Sequence, residues 1–281
     1  MKALFLLTPF LAGCTPITGA PLARGSTRPS ICAHASLPGA ETLWSSRKTR
    51  WIVVGELHGT AETPAAFGEL VCLAAVARPK RRIIVAIEHP QSDQAEYDRY
   101  LNSAGAPTDR SALLQTSAWR SEFKDGRTSE AFLALIDTLR LLRQARLIDG
   151  VVLFQPSGKA LTGPEEREVA MARNLEAASL DSKTLTLVLV GNVHAMRSRF
   201  VRPTFSYLPA AGHLPAEATI TLDVRSNGGA AWNCIPECGP HERGPARLQA
   251  KRGVLLDPAM KPRFDGLLDL GLQTTASPPA Q

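Results

Sequence analysis

Four short runs of apolar residues, separated by segments with helical periodicity, most constrain the fold of this chain. The runs lie at residues 51–55, 83–87, 150–154 and 185–190. Strands that are apolar at nearly every position are buried on both faces, as in parallel sheets that helices cover. The segments between the runs carry helix signals, such as Thr63-Pro64 at a helix start and an apolar stripe through residues 128–146. The pattern predicts an α/β domain with a mainly parallel central sheet flanked by helices.

This single domain is expected to span residues 49–275. Strand-like pieces near residues 204–208 and 218–224 predict that the last third of the chain adds antiparallel strands at an edge of the sheet. Residues 276–281 are rich in proline and are expected to form a loose tail. With 44% apolar and 21% charged residues, the composition is that of a globular protein and excludes collagen-like, coiled-coil and wholly disordered chains.

The N-terminus has the features of an export signal. A positive residue is followed by a short apolar stretch and small residues, and no stretch reaches the roughly 18 apolar residues of a membrane-spanning helix. The string Leu11-Ala12-Gly13-Cys14 resembles a bacterial lipobox, which implies cleavage before Cys14 and lipidation of that cysteine. An ordinary signal peptide and a buried N-terminal helix are the alternatives.

The lipobox interpretation predicts a lipid-anchored protein of the cell envelope. Residues 1–13 would be the signal peptide and residues 14–48, rich in proline, glycine, serine and threonine, a flexible tether between membrane and domain. Thr15 favours the outer membrane, if the cell is Gram-negative.

Four further cysteines permit disulfides in an exported chain. Cys234 and Cys238 lie in a turn-rich stretch, where a bond between them would close a small loop. Cys72 lies on the apolar face of a helix and is either a buried free thiol or the partner of Cys32. A bond to Cys32 would fasten the N-terminal segment to the domain. A four-cysteine zinc site is disfavoured because Cys32 and Cys72 lack paired spacing.

Basic residues give the chain a formal net charge of +6, but they are scattered. The one basic run is Lys80-Arg81-Arg82, which is typical of a solvated helix end or loop. It lacks the interleaved aromatic residues that stack on bases. We therefore expect no nucleic-acid partner.

Ionisable residues follow three of the four apolar runs. Glu56 and His58 follow the first run, Glu88 the second and His194 the fourth. In open α/β sheets the ligand crevice lies outside the carboxyl ends of the strands, so the strands deliver these side chains to one rim. The alternative is a buried polar network that bonds loop backbones. Four such residues on three strands favour an active site.

The residue types suit hydrolysis by either of two designs. A neutral imidazole can take a proton from water while a carboxylate orients the imidazole. With His58, His194 and Glu56 as ligands, the same residues can instead bind a divalent metal such as manganese, zinc or cobalt, which lowers the pKa of a bound water. The sequence leaves both designs open.

The motifs and their order resemble the superfamily of the erythromycin esterases, ChaN and the Tiki/TraB proteins. The carrying segments are Gly55-Glu-Leu-His-Gly-Thr-Ala-Glu62, Ile87-Glu88, Arg167-Glu-Val-Ala-Met-Ala-Arg-Asn-Leu175 and Gly191-Asn-Val-His194. The resemblance spans residues 50–200 and implies an α/β fold with a site at the strand ends. In the esterase branch it implies a general base at His58, completed by Glu88 and His194. The Tiki branch implies a metal-dependent peptidase, and the ChaN branch implies haem binding for iron uptake.

The principal hypothesis is an envelope hydrolase that cleaves an ester or peptide bond in a small molecule or a peptide. Its catalytic residues would be His58, Glu88, His194 and Glu56. Residues expected to contact substrate are Glu62, Arg127, Arg167 and Asn192. The alternative is a haem- or iron-binding lipoprotein. A third hypothesis is a degenerate member that scaffolds partners, because Gln155 stands where an acidic residue is expected.

Overall fold

A seven-stranded sheet forms the centre of the protein. The structure, a computed structural model, describes residues 29–281 apart from Pro79, residues 158–160, Leu180 and residues 246–250. The strands are β1 (Trp51–Glu56), β2 (Arg82–Pro90), β3 (Gly150–Gln155), β4 (Thr184–Gly191), β5 (Phe200–Arg202), β6 (Phe205–Tyr207), β7 (Thr219–Arg225), β8 (Gly229–Cys234), β9 (Cys238–Arg243), β10 (Gly253–Leu256) and β11 (Gly266–Asp269). The α-helices are α1 (Glu62–Ala77), α2 (Gln94–Leu101), α3 (Pro107–Leu113), α4 (Ser117–Arg120), α5 (Glu130–Gln144), α6 (Pro164–Ala178) and α7 (Ala210–His213).

The strand order in the central sheet is β10-β11-β7-β1-β4-β2-β3. All neighbours are parallel except β10 and β11, which are antiparallel. The predicted α/β fold with a mainly parallel sheet is therefore confirmed. The predicted antiparallel edge corresponds to β10, whereas β7 and β11 extend the parallel part. Because β7 pairs with β1, both edges of β1 are hydrogen-bonded and β1 lies inside the sheet.

Different helices cover the two faces of the sheet. Ile52 and Val54 of β1 belong to a core shared with α1, α2 and α5, whereas Trp51 and Val53 belong to a core shared with α6 and α7. Successive side chains of a strand point to opposite faces, so an uninterrupted apolar run fills two cores at once.

Residues 29–48 are packed against the domain, although the sequence predicts a flexible tether there. Leu43 and Trp44 are buried in the same core as α1, and Cys32 forms a disulfide with Cys72 of that helix. The tether prediction is therefore wrong for this part of the chain. The few apolar side chains of residues 29–48 pack against α1. The free energy gained by burying them outweighs the tendency of the surrounding proline and glycine residues to keep the segment flexible.

The predicted signal peptide, residues 1–13, lies outside the described residues, as do the lipidation site Cys14 and the tether residues 15–28. Within the described ranges, no helix combines the length and the apolar character needed to cross a bilayer.

Residues 276–281 are also packed, although the sequence predicts a loose tail. The Ser277 N–H donates to the Gly59 carbonyl at 2.9 Å, and the Ala280 N–H donates to the Thr128 carbonyl at 3.0 Å. The loose-tail prediction is wrong because this extended segment satisfies backbone carbonyls of two loops. It thereby joins the loop after β1 to the loop before α5.

Both predicted disulfides are present. Cys32 and Cys72 are 40 residues apart in the sequence, and Cys234 and Cys238, which join β8 to β9, are 4 residues apart. The free-thiol alternative for Cys72 is therefore excluded.

The two disulfides should contribute unequally to stability. The loop-entropy relation gives about 4 kcal/mol for a loop of about 40 residues and about 2 kcal/mol for a loop of about 4. Replacing Cys32 and Cys72 by alanine should therefore reduce the free energy of unfolding about twice as much as replacing Cys234 and Cys238. Urea unfolding of the two double variants measures the difference. Equal losses would show that the longer loop is not restrained in this way.

Candidate active site

The carboxyl ends of three adjacent strands lie side by side at one end of the sheet. β1, β4 and β2 are neighbours, and Glu56 at the end of β1 is paired with Gly191 at the end of β4. Glu88 lies near the end of β2. The turns that follow β1 and β4 carry His58 and His194 to the same end of the sheet, where both imidazoles face Glu88. The structure therefore brings the four predicted catalytic residues together.

Glu88 is at the centre of this group and is 4% exposed. Four basic side chains surround its carboxylate. Their nearest nitrogens are those of Arg127 at 3.1 Å, Arg167 at 3.6 Å, His194 at 3.7 Å and His58 at 3.8 Å. The Gly191 N–H also donates a hydrogen bond to Glu88 Oε2 at 2.8 Å.

The surroundings of Glu88 keep it ionised. Burial by itself raises the pKa of the carboxyl group. The charges of His194, His58 and Arg127 lower the pKa more strongly and, with the backbone hydrogen bond, bring it to about 2. At neutral pH Glu88 is therefore a fixed negative charge that positions cations, and it is not a proton donor.

His58 is paired with a buried carboxylate and remains accessible. Its Nδ1 lies 3.0 Å from Glu56 Oε1, and its side chain is 20% exposed. Burial lowers the pKa of His58, but the hydrogen bond to Glu56 and the charges of Glu56 and Glu88 raise it more, so the pKa lies above its usual value. In the neutral form, Nδ1 donates to Glu56, and this leaves the Nε2 lone pair free to accept a proton.

His194 has the same arrangement with a different carboxylate. Its Nδ1 lies 2.8 Å from Glu168, which is 1% exposed and also accepts a hydrogen bond from the Ala210 N–H at 2.8 Å. Glu168 was not among the predicted site residues, although it lies in the motif at residues 167–175 and the helix pattern carried a signal. The buried residues of α6 are Glu168, Met171, Ala172 and Leu175, so a carboxylate stands in phase with the apolar stripe of the helix.

Gly191 lies tightly against the two imidazoles and the central carboxylate. A Cβ atom at this position would lie 3.0 Å from His58 Nε2, 3.4 Å from Glu88 Oε2 and 3.5 Å from His194 Cδ2. The contact with His58 Nε2 is closer than an ordinary van der Waals contact, so a side chain here would press on the ring. Glycine at this strand end therefore allows the close approach of the His58 imidazole.

Arg127 supports the site from the loop before α5. Its Nε and Nη2 contact Asp125 at 3.0 and 2.7 Å, and its Nη1 contacts Glu88 and, at 3.4 Å, the side-chain oxygen Oε1 of Gln155. Each guanidinium nitrogen therefore has a protein oxygen as partner. This arrangement fits a residue that positions Glu88. Gln155, which stands where an acidic residue is expected, belongs to the same hydrogen-bond network around Arg127.

The loop that carries Arg127 is held by a buried histidine. His89 Nε2 lies 2.9 Å from the Arg127 carbonyl, and its Nδ1 contacts the Tyr97 hydroxyl. Burial lowers the pKa of His89 to about 4, so the ring is neutral at physiological pH. Gly126 in this loop has φ +97°, and a Cβ there would come within 2.3 Å of the Gly59 backbone. The Arg127 and His58 loops therefore touch.

The other predicted substrate contacts divide into two groups. Arg167 joins the cluster at Glu88 and is 38% exposed. Glu62 instead accepts hydrogen bonds from the Thr275 N–H at 2.9 and 3.1 Å and so holds the C-terminal segment. The Asn192 side chain lies near Asp223, and burial raises the pKa of that carboxyl group.

The described residues do not form the expected metal ligand set. Among them, no group of three or more His, Cys, Asp and Glu side chains is arranged to hold a metal ion. Glu56 lies on the Nδ1 side of His58, while Nε2 of His58 and of His194 both face a carboxylate that two guanidinium groups already neutralise. The same charged surroundings do not suit a haem, which needs an apolar cleft. We therefore derive no chemical step through a metal or a haem.

Comparison with known proteins shows the fold. No family model matches this sequence, and no curated protein sequence matches it. Among solved structures, a succinoglycan biosynthesis protein matches with a TM-score of 0.64 and 10% identity, over 83% of this chain and 90% of that chain. A variant of the erythromycin esterase EreC in its open conformation matches with a TM-score of 0.60 and 11% identity, over 83% of this chain and 92% of that chain. The chain is thus similar in fold to both proteins, as the motif resemblance implied.

Proposed function

We propose that this protein is a hydrolase in which His58 activates water for attack on an ester or a peptide bond. The observation that carries the proposal is the Glu56–His58 pair at 3.0 Å, which leaves Nε2 of a partly exposed imidazole able to accept a proton. The similarity in fold to an erythromycin esterase favours the ester. We further propose that the protein acts at the cell envelope, anchored by a lipid on Cys14.

The proposed chemistry follows from these positions. His58 Nε2 takes a proton from water, and the Glu56 carboxylate stabilises the imidazolium that forms. The resulting hydroxide attacks the carbonyl carbon, and the carbonyl π electrons move to oxygen as a tetrahedral intermediate forms. When this collapses, the bond to the leaving group breaks, and the departing oxygen or nitrogen takes the proton from His58.

Arg167 is the group best placed to meet the developing oxyanion. It is more exposed than Arg127 and contacts Glu88 at 3.6 Å. A guanidinium with free donors close to a reacting carbonyl stabilises negative charge in the transition state. A cavity of about 190 Å³ adjoins Glu88, is lined partly by Ser117 and Gln155, and offers polar surroundings to a small substrate group.

Replacing His58 should abolish turnover without unfolding the protein. His58→Ala is expected to reduce kcat about 100- to 10,000-fold, the range for loss of a general base. The assay is hydrolysis of a series of p-nitrophenyl esters with short and long acyl chains, with thermal unfolding as the check on folding. His34→Ala, an exposed histidine on the N-terminal segment, is the matched control and should retain activity. Full activity in His58→Ala would contradict the assignment.

The pH dependence should reveal the partner of His58. A general base must be neutral, so kcat/KM rises with pH through the pKa of His58, which lies above its usual value. Glu56→Gln removes the nearby charge and should move this rise to lower pH. Glu69→Gln, whose carboxylate pairs with Arg252, should leave it in place. The proposal fails if both variants keep the wild-type profile, and NMR titration of His58 checks the origin of the shift.

A methyl group at position 191 should displace the His58 imidazole. In Gly191→Ala the new Cβ lies 3.0 Å from His58 Nε2, so the ring must shift from its present position. Activity should fall about 100-fold, the scale of a small misplacement of reacting groups. Gly163→Ala is the control, since a Cβ there meets nothing within 4 Å. Comparable activity in the two variants would show that the reaction does not depend on the position of this ring.

A further inference from the structure

A basic cavity lies at the opposite end of the sheet from the candidate active site. It has a volume of about 520 Å³. The lining residues are Arg47, Ala77, Arg78, Lys80, Arg81, Ser182 and Lys183. They come from the segments that precede β1, β2 and β4, and since these strands are adjacent, their amino-terminal ends meet there. The eight residues of β4 separate this cavity from the active site by roughly 23 Å.

Backbone carbonyls, rather than carboxylates, hold two half-buried guanidinium groups of this cavity. Arg81 Nη2 donates to the Thr49 carbonyl at 2.8 Å and to the Thr184 carbonyl at 2.7 Å. Arg78 Nη2 donates to the Trp44 carbonyl, and Arg78 Nε is buried without a partner in the described part of the chain. Both side chains are thus fixed in place, and neither forms an ion pair with a carboxylate in the described part of the chain.

The acidic residues nearby do not neutralise the cavity. Asp181 accepts hydrogen bonds from the Lys183 N–H at 2.8 Å and from the Thr184 hydroxyl at 3.0 Å. Asp149 lies 3.8 Å from Arg82, which points away from the lining set. Burial and the charges of Arg78 and Arg50 lower the pKa of Arg81, as expected where cations crowd together. The basic run Lys80-Arg81-Arg82 is therefore divided, with two of its members facing a shared concave surface.

The cavity matches the chemistry of phosphate. Arg81 Nε and Nη2 are occupied by backbone carbonyls, Nε by that of Lys183 at 3.2 Å, so Arg81 contributes its charge and its remaining N–H donors. Guanidinium groups donate charge-assisted hydrogen bonds to phosphate oxygens, and lysine ammonium groups add mobile charge. The Ser182 hydroxyl can donate a further hydrogen bond. Five cationic side chains around one cavity call for a ligand with at least two negative charges. We propose that this cavity is a binding site for a phosphate-bearing ligand, either a free phosphorylated small molecule or the head group of an anionic lipid.

The test uses the full chain carrying Cys14→Ser, which cannot be acylated and so cannot enter a membrane through its own lipid. Binding of inorganic pyrophosphate is measured by calorimetry at low salt. Association with phosphatidylglycerol vesicles is measured by sedimentation beside neutral phosphatidylcholine vesicles. Pyrophosphate binding identifies a free phosphorylated ligand as the source, and selective vesicle binding identifies a lipid head group. Binding to neither probe overturns the proposal.

Charge reversal assigns the binding to the cavity. Lys80→Glu with Lys183→Glu removes two exposed lining charges without disturbing the guanidinium groups that hold backbone carbonyls, and should weaken binding about tenfold or more. Lys251→Glu with Lys261→Glu changes the net charge equally elsewhere and should bind like the parent chain. Equal weakening in the two double variants would show general attraction of anions and overturn the site. Ester hydrolysis should be unchanged in both, since neither touches the active site.

Discussion

The buried carboxylate of Glu88 is the interaction on which the rest of the site depends. It brings an arginine from the loop before α5, an arginine from α6 and histidines from the turns after β1 and β4 around one negative charge. Removing a charge of this kind leaves several cations crowded in a poorly solvated place, which is strongly destabilising. The same pairing sets the electrostatic surroundings of His58, so structural and chemical roles are not separable at this residue.

The apolar runs predicted the first four strands, and their carboxyl ends predicted the residues that meet at one end of the sheet. Two kinds of feature escaped prediction. Glu168 lies in a segment that carries the family resemblance, but its pairing with His194 was not predicted, because the sequence does not show which helix residue faces the end of β4. The contact of Glu62 with the C-terminal segment was not predicted, because proximity to His58 in the sequence does not determine where the carboxylate points, and it accepts from the Thr275 N–H. Its contact with substrate stays a prediction. In both cases a contact with a residue far away in the sequence determines where the carboxylate lies.

Contacts with distant parts of the chain also determine the packing of residues 29–48 and 276–281. Their proline-rich composition predicted flexible segments. A few apolar or hydrogen-bonding groups were nevertheless enough to hold each segment against a complementary surface of the domain. Composition predicts the conformation of a segment in isolation. It does not predict whether the folded domain offers a surface against which the segment can pack. Opposite ends of the strands carry different groups, with paired imidazoles and carboxylates at the carboxyl ends and a cluster of cations at the amino ends.

The contact of Ser277 with Gly59 has a consequence for the time at which the site assembles. Residues more than 200 positions apart must meet before the loop that carries His58 is held. Contacts of such separation form late in folding, because the entropy of closing a long loop opposes them until much of the chain is already ordered. The imidazole therefore reaches its working position in one of the last steps of folding, and catalytic competence should lag behind the formation of the sheet.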